Sequence, residues 1–496
     1  MARYKLFRLV SLLEHDELNS FAKFLNSPYF NTDAHCTQLF GELRKYHPGM
    51  DHPKLTKEHL SRRVFGKENY NDQKIRRLMM DLSHLLERYL QVRELESSEQ
   101  LRQQSLVLAL EWRGDYELFR ETAEARIAHL LESEQNGKDL FQELFSLYHA
   151  LHFHPATNRF SLQKDYLGPY GHYLECFFVL AVLQYEMECR ISKRVVSNVQ
   201  SPRFASAVNT LPNSTDFDRH AAIGFFREMF QWFKKPGTSP ELLDLHARLG
   251  SLFQSFSDFE QRMAIKLFSN FLAPFANSES PLHENLIFET YKMGVEHGLL
   301  KKGNNPVSSD SFINITSIGA KTHHFRWTEN FILEYSSLLP ESEQHHACCL
   351  AWASLSYHQW QETGQPEFFR EALYQLNLIP VRSLEKYELR ARSTHVRILF
   401  EGLLQRLCTY DDVKSQCTYF ERHLRNNQVY SKELREDYLD FLHHLKTLAK
   451  IANEPAPDLL LLQQFIGEMK TKKIFLKKNW LQGKAEELLN RSNASP

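Results

Sequence analysis

Glycine and proline are scarce in this chain, 18 of each in 496 residues, against usual levels of about 7% and 5%. Turns are therefore few, and little material exists for the glycine-rich loops that cradle phosphates. No GxxxxGK[ST], GxGxxG or GxSxG string occurs, since Gly483-Lys484 lacks both the upstream glycine and the hydroxyl residue. Branched aliphatics are also sparse, with 31 valines and isoleucines against 72 leucines. Leucine favours helix while β-branched residues favour strand, so the composition predicts an all-α protein.

An excess of one charge is missing too. Sixty basic residues face 61 acidic ones, giving a formal net charge of −1, so no global field draws the chain to nucleic acid or an anionic membrane. The longest apolar run, Cys176 to Leu183, is far short of the roughly 20 residues that cross a bilayer. No transmembrane segment is expected. The opening Met1-Ala2-Arg3-Tyr4-Lys5-Leu6-Phe7-Arg8 mixes charge into what would be a signal core, so the expected location is cytoplasmic. Seven scattered cysteines, Cys36, Cys176, Cys189, Cys348, Cys349, Cys408 and Cys417, form no CxxC pair. They read as reduced, small, buried residues rather than a disulfide framework.

Histidine is plentiful, with 24 in the chain. His149, His152 and His154 cluster, and His345 and Cys349 stand one helical turn apart, a spacing that suits two ligands of one metal. Two ligands do not make a site. The nearest string to HExxH, His283-Glu284-Asn285-Leu286-Ile287, lacks its second histidine. Cys348 beside His345 lies within a Leu/Ala/Trp helical pattern where a buried thiol is expected. The sequence therefore predicts no catalytic residue, no metal and no cofactor, and the chain reads as not an enzyme.

Along the chain, apolar residues recur at three-four spacing. Two short helices end at Asn26-Ser27-Pro28, and a third runs through Leu39, Phe40 and Leu43 to Pro48-Gly49. A short helix from Thr56 closes at Gly66, placed for a left-handed cap, and a long one runs from about Asp72 to Leu95. Apolar stripes follow near Leu106 to Trp112, Leu118 to Leu131, Leu140 to Leu151, Leu174 to Met187 and Ile223 to Phe233. Ser239-Pro240-Glu241 and Ser257-Asp258-Phe259-Glu260 mark helix starts. Two looser stretches, 201–216 and 234–240, suit connections.

Beyond Pro306 the chain becomes self-similar. Ile332-Leu333 followed by Leu338-Leu339-Pro340 recurs forty residues on as Ala372-Leu373 followed by Leu378-Ile379-Pro380. A third pass covers Leu389 to Leu407 and Val413 to Leu424. Helix pairs at this period predict a solenoid. Against the tetratricopeptide pattern the match is degenerate, with Ile332 and Tyr335 in the slots of helix B and Gly319 where tyrosine stands. Ser27-Pro28-Tyr29-Phe30-Asn31, Tyr70-Asn71-Asp72-Gln73-Lys74-Ile75-Arg76-Arg77-Leu78, Glu329-Asn330-Phe331-Ile332 with Tyr335 and Leu338-Leu339-Pro340, and Lys478-Asn479-Trp480-Leu481 carry a resemblance. The chain resembles a Bacteroidota family of helical-repeat proteins of about this length. The resemblance covers most of the chain and implies a fold but no reaction.

Residues 54–93 hold ten lysines and arginines against five acidic residues. The order short helix, turn, longer helix is similar to the helix-turn-helix core of winged-helix regulators. There, Gln73 and Arg77 would face base edges, and Arg62, Arg63 and Lys74 would contact phosphates. No wing follows and the turn is longer than usual for this motif, so a basic helical face in water, or a protein contact, is the favoured explanation of the charge. The end, Lys470 to Trp480, mixes five lysines with Phe475 and Trp480 and reads as a terminal helix capping the last repeat, its lysines in water.

The sequence thus predicts an N-terminal helical domain (1–95), irregular helical hairpins (96–300) and tetratricopeptide-like repeats with a capping helix (301–496). These make a right-handed helical-hairpin solenoid. Its expected role is a non-catalytic protein-interaction scaffold or adaptor, with Trp327, Tyr357, Trp360 and Arg390 as candidate outward contacts for a protein partner, core packing being the expected role of the two tryptophans. The alternative is a DNA-binding regulator that reads DNA through 54–93 and senses through the solenoid.

Overall fold

The computed structural model describes residues 4–66, 70–157, 164–193, 217, 219–233, 238–273, 281–301, 305–379, 385–427, 430, 432–454, 458–471 and 477–494. Among them the regular structure is wholly helical, as the leucine-rich composition predicts, and no strand occurs. The connection 201–216, residues 234–237, Pro380 and Phe475 lie outside the described residues.

The chain divides into two compact units, 1–177 and 178–496. In the first, α1 (Lys5–Ser11), α2 (His15–Leu25), α3 (Ala34–Leu43), α4 (Lys57–Phe65) and α5 (Asp72–Ser97) precede α6 (Glu99–Glu111), α7 (Tyr116–Glu132), α8 (Lys138–Phe153) and the start of α9 (Leu167–Lys193). α5 is the central element, packing against α1, α2, α3, α4 and α6. Its stripe of Ile75, Leu78, Met79, Leu82, Leu86 and Tyr89 is buried, as the three-four spacing requires. Side chains begin the helices: the Thr56 hydroxyl accepts from the His59 N–H, and Asn71 Oδ1 from the Lys74 N–H. Gly66 does close α4 with positive φ, at 81°, but its ψ of −152° is not the left-handed helical cap expected. The stripe near Leu106 to Trp112 also departs from expectation, because Leu106, Leu108 and Trp112 are exposed and only Val107 of α6 is buried.

The second unit continues with α10 (Ala221–Trp232), α11 (Ser239–Leu252), α12 (Asp258–Leu272), α13 (Leu282–Glu296), α14 (Ser309–Lys321), α15 (Phe325–Tyr335), α16 (Glu341–Thr363) and α17 (Pro366–Asn377). α18 (Glu385–Leu404), α19 (Tyr410–Asn426), α20 (Lys432–Asn453), α21 (Leu459–Thr471) and α22 (Lys478–Ala494) complete it. Thr238 rather than Ser239 caps α11, in a reciprocal pair with Glu241. From α14 onward every helix packs on the next. The even-numbered helices also touch one another in a row, α14 on α16, α16 on α18, α18 on α20 and α20 on α22. No two of α15, α17, α19 and α21 are in comparable contact among the described residues.

Close approach of consecutive helices depends on glycine at two places. A Cβ on Gly319 of α14 would collide with Thr328 Oγ1 of α15, and one on Gly402 of α18 would lie 2.5 Å from Phe369 Cε2 of α17. Gly319, a departure from the repeat pattern, is thus the residue that lets α15 close on α14.

Candidate functional site

Two regions bear on function: the basic segment of the first unit and the facing side chains of the even-numbered helices in the second.

Arg62, Arg63, Gln73, Lys74 and Arg77 are all exposed on α4 and α5. Much of the surrounding charge is matched. Arg63 Nη2 lies 3.0 Å from Glu42 Oε1 of α3, Lys57 and Arg76 both meet Asp72 at 2.9 and 2.6 Å, and Arg93 reaches Glu17 at 3.5 Å. Lys74 Nζ sits 4.1 Å over the Phe65 ring. The Tyr70 hydroxyl donates to Asp72 at 2.7 Å and, with Lys57, holds that carboxyl below the usual aspartate range. Glu42 is likewise held down, by Arg63 and Lys45. These pairs tie α3, α4 and the start of α5 together, and of the residues named for phosphate contact Arg63 belongs to one of them. α5 runs on to Ser97 and α6 begins at Glu99, so no wing strand follows. The full-length protein is expected to give no salt-dependent shift of a short DNA duplex at about 50 mM salt, where phosphate contacts are strongest. A shift abolished by Arg62→Glu with Arg77→Glu would establish the regulator reading instead.

In the histidine clusters, backbone groups meet the ring nitrogens of His154 and His345, while His152 Nδ1 is buried with no hydrogen-bond partner among the described residues. His154 Nδ1 accepts from the Ala156 N–H at 3.1 Å, so its Nε2–H donates to the Glu111 carbonyl at 2.8 Å. His149 lies against the rings of Phe153 and Tyr170, and His152 against Phe153. His345 Nε2 is 3.1 Å from the Leu378 carbonyl and 3.9 Å from Cys349 Sγ. Burial, aided by Cys348, pushes the Cys349 thiol up to about 11, and burial raises Cys348 as well. Both are thiols, not nucleophilic thiolates, at neutral pH.

In the second unit the four sequence-derived contact residues separate. Trp360 is fully buried against Phe369, in the core role expected of the tryptophans, and Tyr357 is 3% exposed, which corrects the expectation that the tyrosine faces outward. The reason is local: α16 is covered by α14, α15, α17 and α18 at once, so it has little solvent face for an aromatic to occupy. Trp327 is half-buried, stacked on Phe331 and edge-on to Phe288. Arg390 alone of the four is exposed, and its Nη1 donates to Asn314 Oδ1 at 3.3 Å.

That bond spans from α18 to α14 across the intervening α16, and other groups converge on the same place. Arg390, Thr394, Arg397 and Glu401 share one face of α18 by helical spacing. Glu401 is buried and saturated: Tyr357 Oη donates at 2.9 Å, Gln361 Nε2 at 2.8 Å and Trp480 Nε1 at 3.2 Å, with Lys484 Nζ at 3.2 Å as counter-charge. The Arg397 guanidinium packs over the rings of Tyr357, at 5.7 Å, and Trp480, at 5.2 Å. Lys477 stands just before α22 with φ of +61°, a left-handed conformation that costs a non-glycine residue about 1 kcal/mol or more.

The field here is positive. His358 of α16 is driven down to about 3, by burial first and then by the charges of Arg397 and Lys321. Lys477 is held down to about 8, by the surrounding protein first and then by Arg397, Lys321 and Arg390. Tyr291 of α13 and Tyr438 of α20 are raised by burial and both feel the charge of Arg390. Lys321 has Glu284 at 2.5 Å, but Arg390, Arg397 and Lys477 have no carboxylate partner among the described residues. Sequence reading missed Arg397 and Lys477. The one signal available was two arginines seven apart on one face of α18.

Comparison with protein-family models, curated proteins and solved structures finds no match to this chain. No helix of the described residues is long and apolar enough to cross a membrane.

Proposed function

We propose that α14–α22 form a right-handed, tetratricopeptide-like solenoid of degenerate helical hairpins, and that the protein is a non-catalytic scaffold or adaptor whose even-numbered helices present the surface for a protein partner. The observation that supports this is the continuous contact of the even-numbered helices, with no matching row among the odd-numbered ones. In a curved stack of hairpins the inner helices lie on the shorter arc and touch, whereas the outer ones splay apart. The reach of Arg390 across α16 to Asn314 agrees with that curvature, since side chains of non-adjacent helices meet only on a concave side.

Crosslinking tests the reading. A photo-reactive benzoylphenylalanine placed at Asn314, exposed on α14, is expected to yield a discrete adduct with another protein in native cells. The same group at Leu333, exposed on α15, is expected to yield none. Equal labelling from both positions, or none from either, would refute the inner face as the working surface.

A further inference from the structure

The inner face proposed above carries a chemistry that selects its occupant. We propose that it takes an extended acidic peptide segment, whose carboxylates are received by Arg390, Arg397 and Lys477 while Asn314 bonds the peptide backbone. This rests on the scaffold reading and adds the class of partner.

Charge complementarity carries the proposal. Three cations from α18 and the start of α22 stand together without a carboxylate of their own. Glu401, the acid nearest to Arg397 on the same helix, is already committed to Tyr357, Gln361, Trp480 and Lys484. Arg397 Nε is buried with no hydrogen-bond partner among the described residues, so the guanidinium's charge is not neutralised from within the protein. Arg390 and Lys477 are exposed to solvent, although both lie within a ring of helices that crowds Tyr291, His358 and Tyr438. Charges in such a concavity attract anions more strongly than the same charges on a convex surface, because the low-dielectric walls focus the field.

The backbone at Lys477 points the same way. A lysine is held in the left-handed region where glycine would sit without strain, and strain kept at one residue is characteristic of ligand-contacting positions.

A peptide fits this lining better than a nucleic acid. Stacking of bases needs open ring faces, but Tyr357 is buried and the faces of Tyr357 and Trp480 are covered by Arg397. Asn314 offers both a donor and an acceptor, the pair a peptide group requires.

The test uses full-length protein and a fluorescein-labelled deca-glutamate peptide, followed by anisotropy at about 50 mM salt. Wild type is expected to bind it in preference to deca-lysine and to oligothymidylate. Arg390→Glu should weaken binding by about tenfold or more. Lys477→Gly should weaken it while raising the melting temperature, a combination that general damage to the fold cannot produce.

Binding should also depend on pH. Arg390 and Arg397 of α18 and Lys321 of α14 face Lys477, and His358 of α16 stays neutral in their field. An anion favours protonated Lys477, so affinity should hold below about 8 and fall as pH rises through about 8. In Lys477→Gly that fall should vanish. Absence of deca-glutamate binding, binding indifferent to both substitutions, or tighter oligothymidylate binding lost in the same variants would each overturn the proposal. If position 314 still crosslinks while deca-glutamate fails to bind, the scaffold reading survives and the acidic partner does not. Loss of the crosslink removes both.

Discussion

Glu401→Ala should destabilise the second unit by about 3–5 kcal/mol, the range found when one member of a buried ion pair is removed. The carboxylate is 4% exposed and collects four donors from α16 and α22. Truncation takes one of two acids from Lys484, which keeps Glu487 at 3.0 Å, and its main cost is that Tyr357, Gln361 and Trp480 lose a charged acceptor in a site shielded from water. Urea unfolding followed by circular dichroism is the measurement. A loss below about 1 kcal/mol, the ordinary value of an exposed pair, would show that the network contributes little. Because Glu401 joins three helices far apart in sequence, Glu401→Ala should also disturb the fluorescence of Trp480 and weaken any ligand held by Arg397.

The buried pair of the first unit should behave differently. Arg126 Nε meets Glu143 Oε1 at 2.7 Å, with side chains 7% and 1% exposed. Glu143 Oε2 has no partner among the described residues. Glu143→Ala strands the guanidinium in the core and should again cost about 3–5 kcal/mol. Replacing both residues, Arg126→Met with Glu143→Leu, should restore wild-type stability or exceed it. The half-satisfied carboxylate leaves desolvation uncompensated, whereas apolar side chains fill the same space without it. A double variant as unstable as Glu143→Ala would refute this account. Glu401, by contrast, is fully served, so an apolar replacement there with Lys484→Met should recover less.

Much of the fold was legible because helical periodicity is a local property. The stripe on α5 from Ile75 to Tyr89 and the caps at Thr56 and Asn71 required only neighbours in sequence. The misreadings have a shared cause. Tyr357 belongs to α16, where Ala347, Ala351 and Ala353 let several helices close in. A helix covered on most sides has no polar stripe, so nothing in its sequence says which aromatic is outward. On α6 the opposite holds: Leu106 and Leu108 look like core residues by type, but it is Val107, with Leu110 beside it, that packs on the core. The cation cluster was out of reach for a different reason. Asn314, Arg390 and Lys477 come from α14, α18 and the residue before α22, elements far apart in sequence, and single-helix periodicity carries no information about how such elements meet.

The hydrogen bond from Arg390 to Asn314 has a consequence for how this chain tolerates change. In a stack whose units touch only their immediate neighbours, a hairpin can be inserted or removed and the remainder keeps its contacts. Here a side chain of one hairpin bonds two inner helices back, so deleting or adding a hairpin between them would shift every later cation out of register with Asn314 and Lys321. The pair α16 and α17 thus sets the distance that one arginine side chain spans, as a pier sets the span of a bridge.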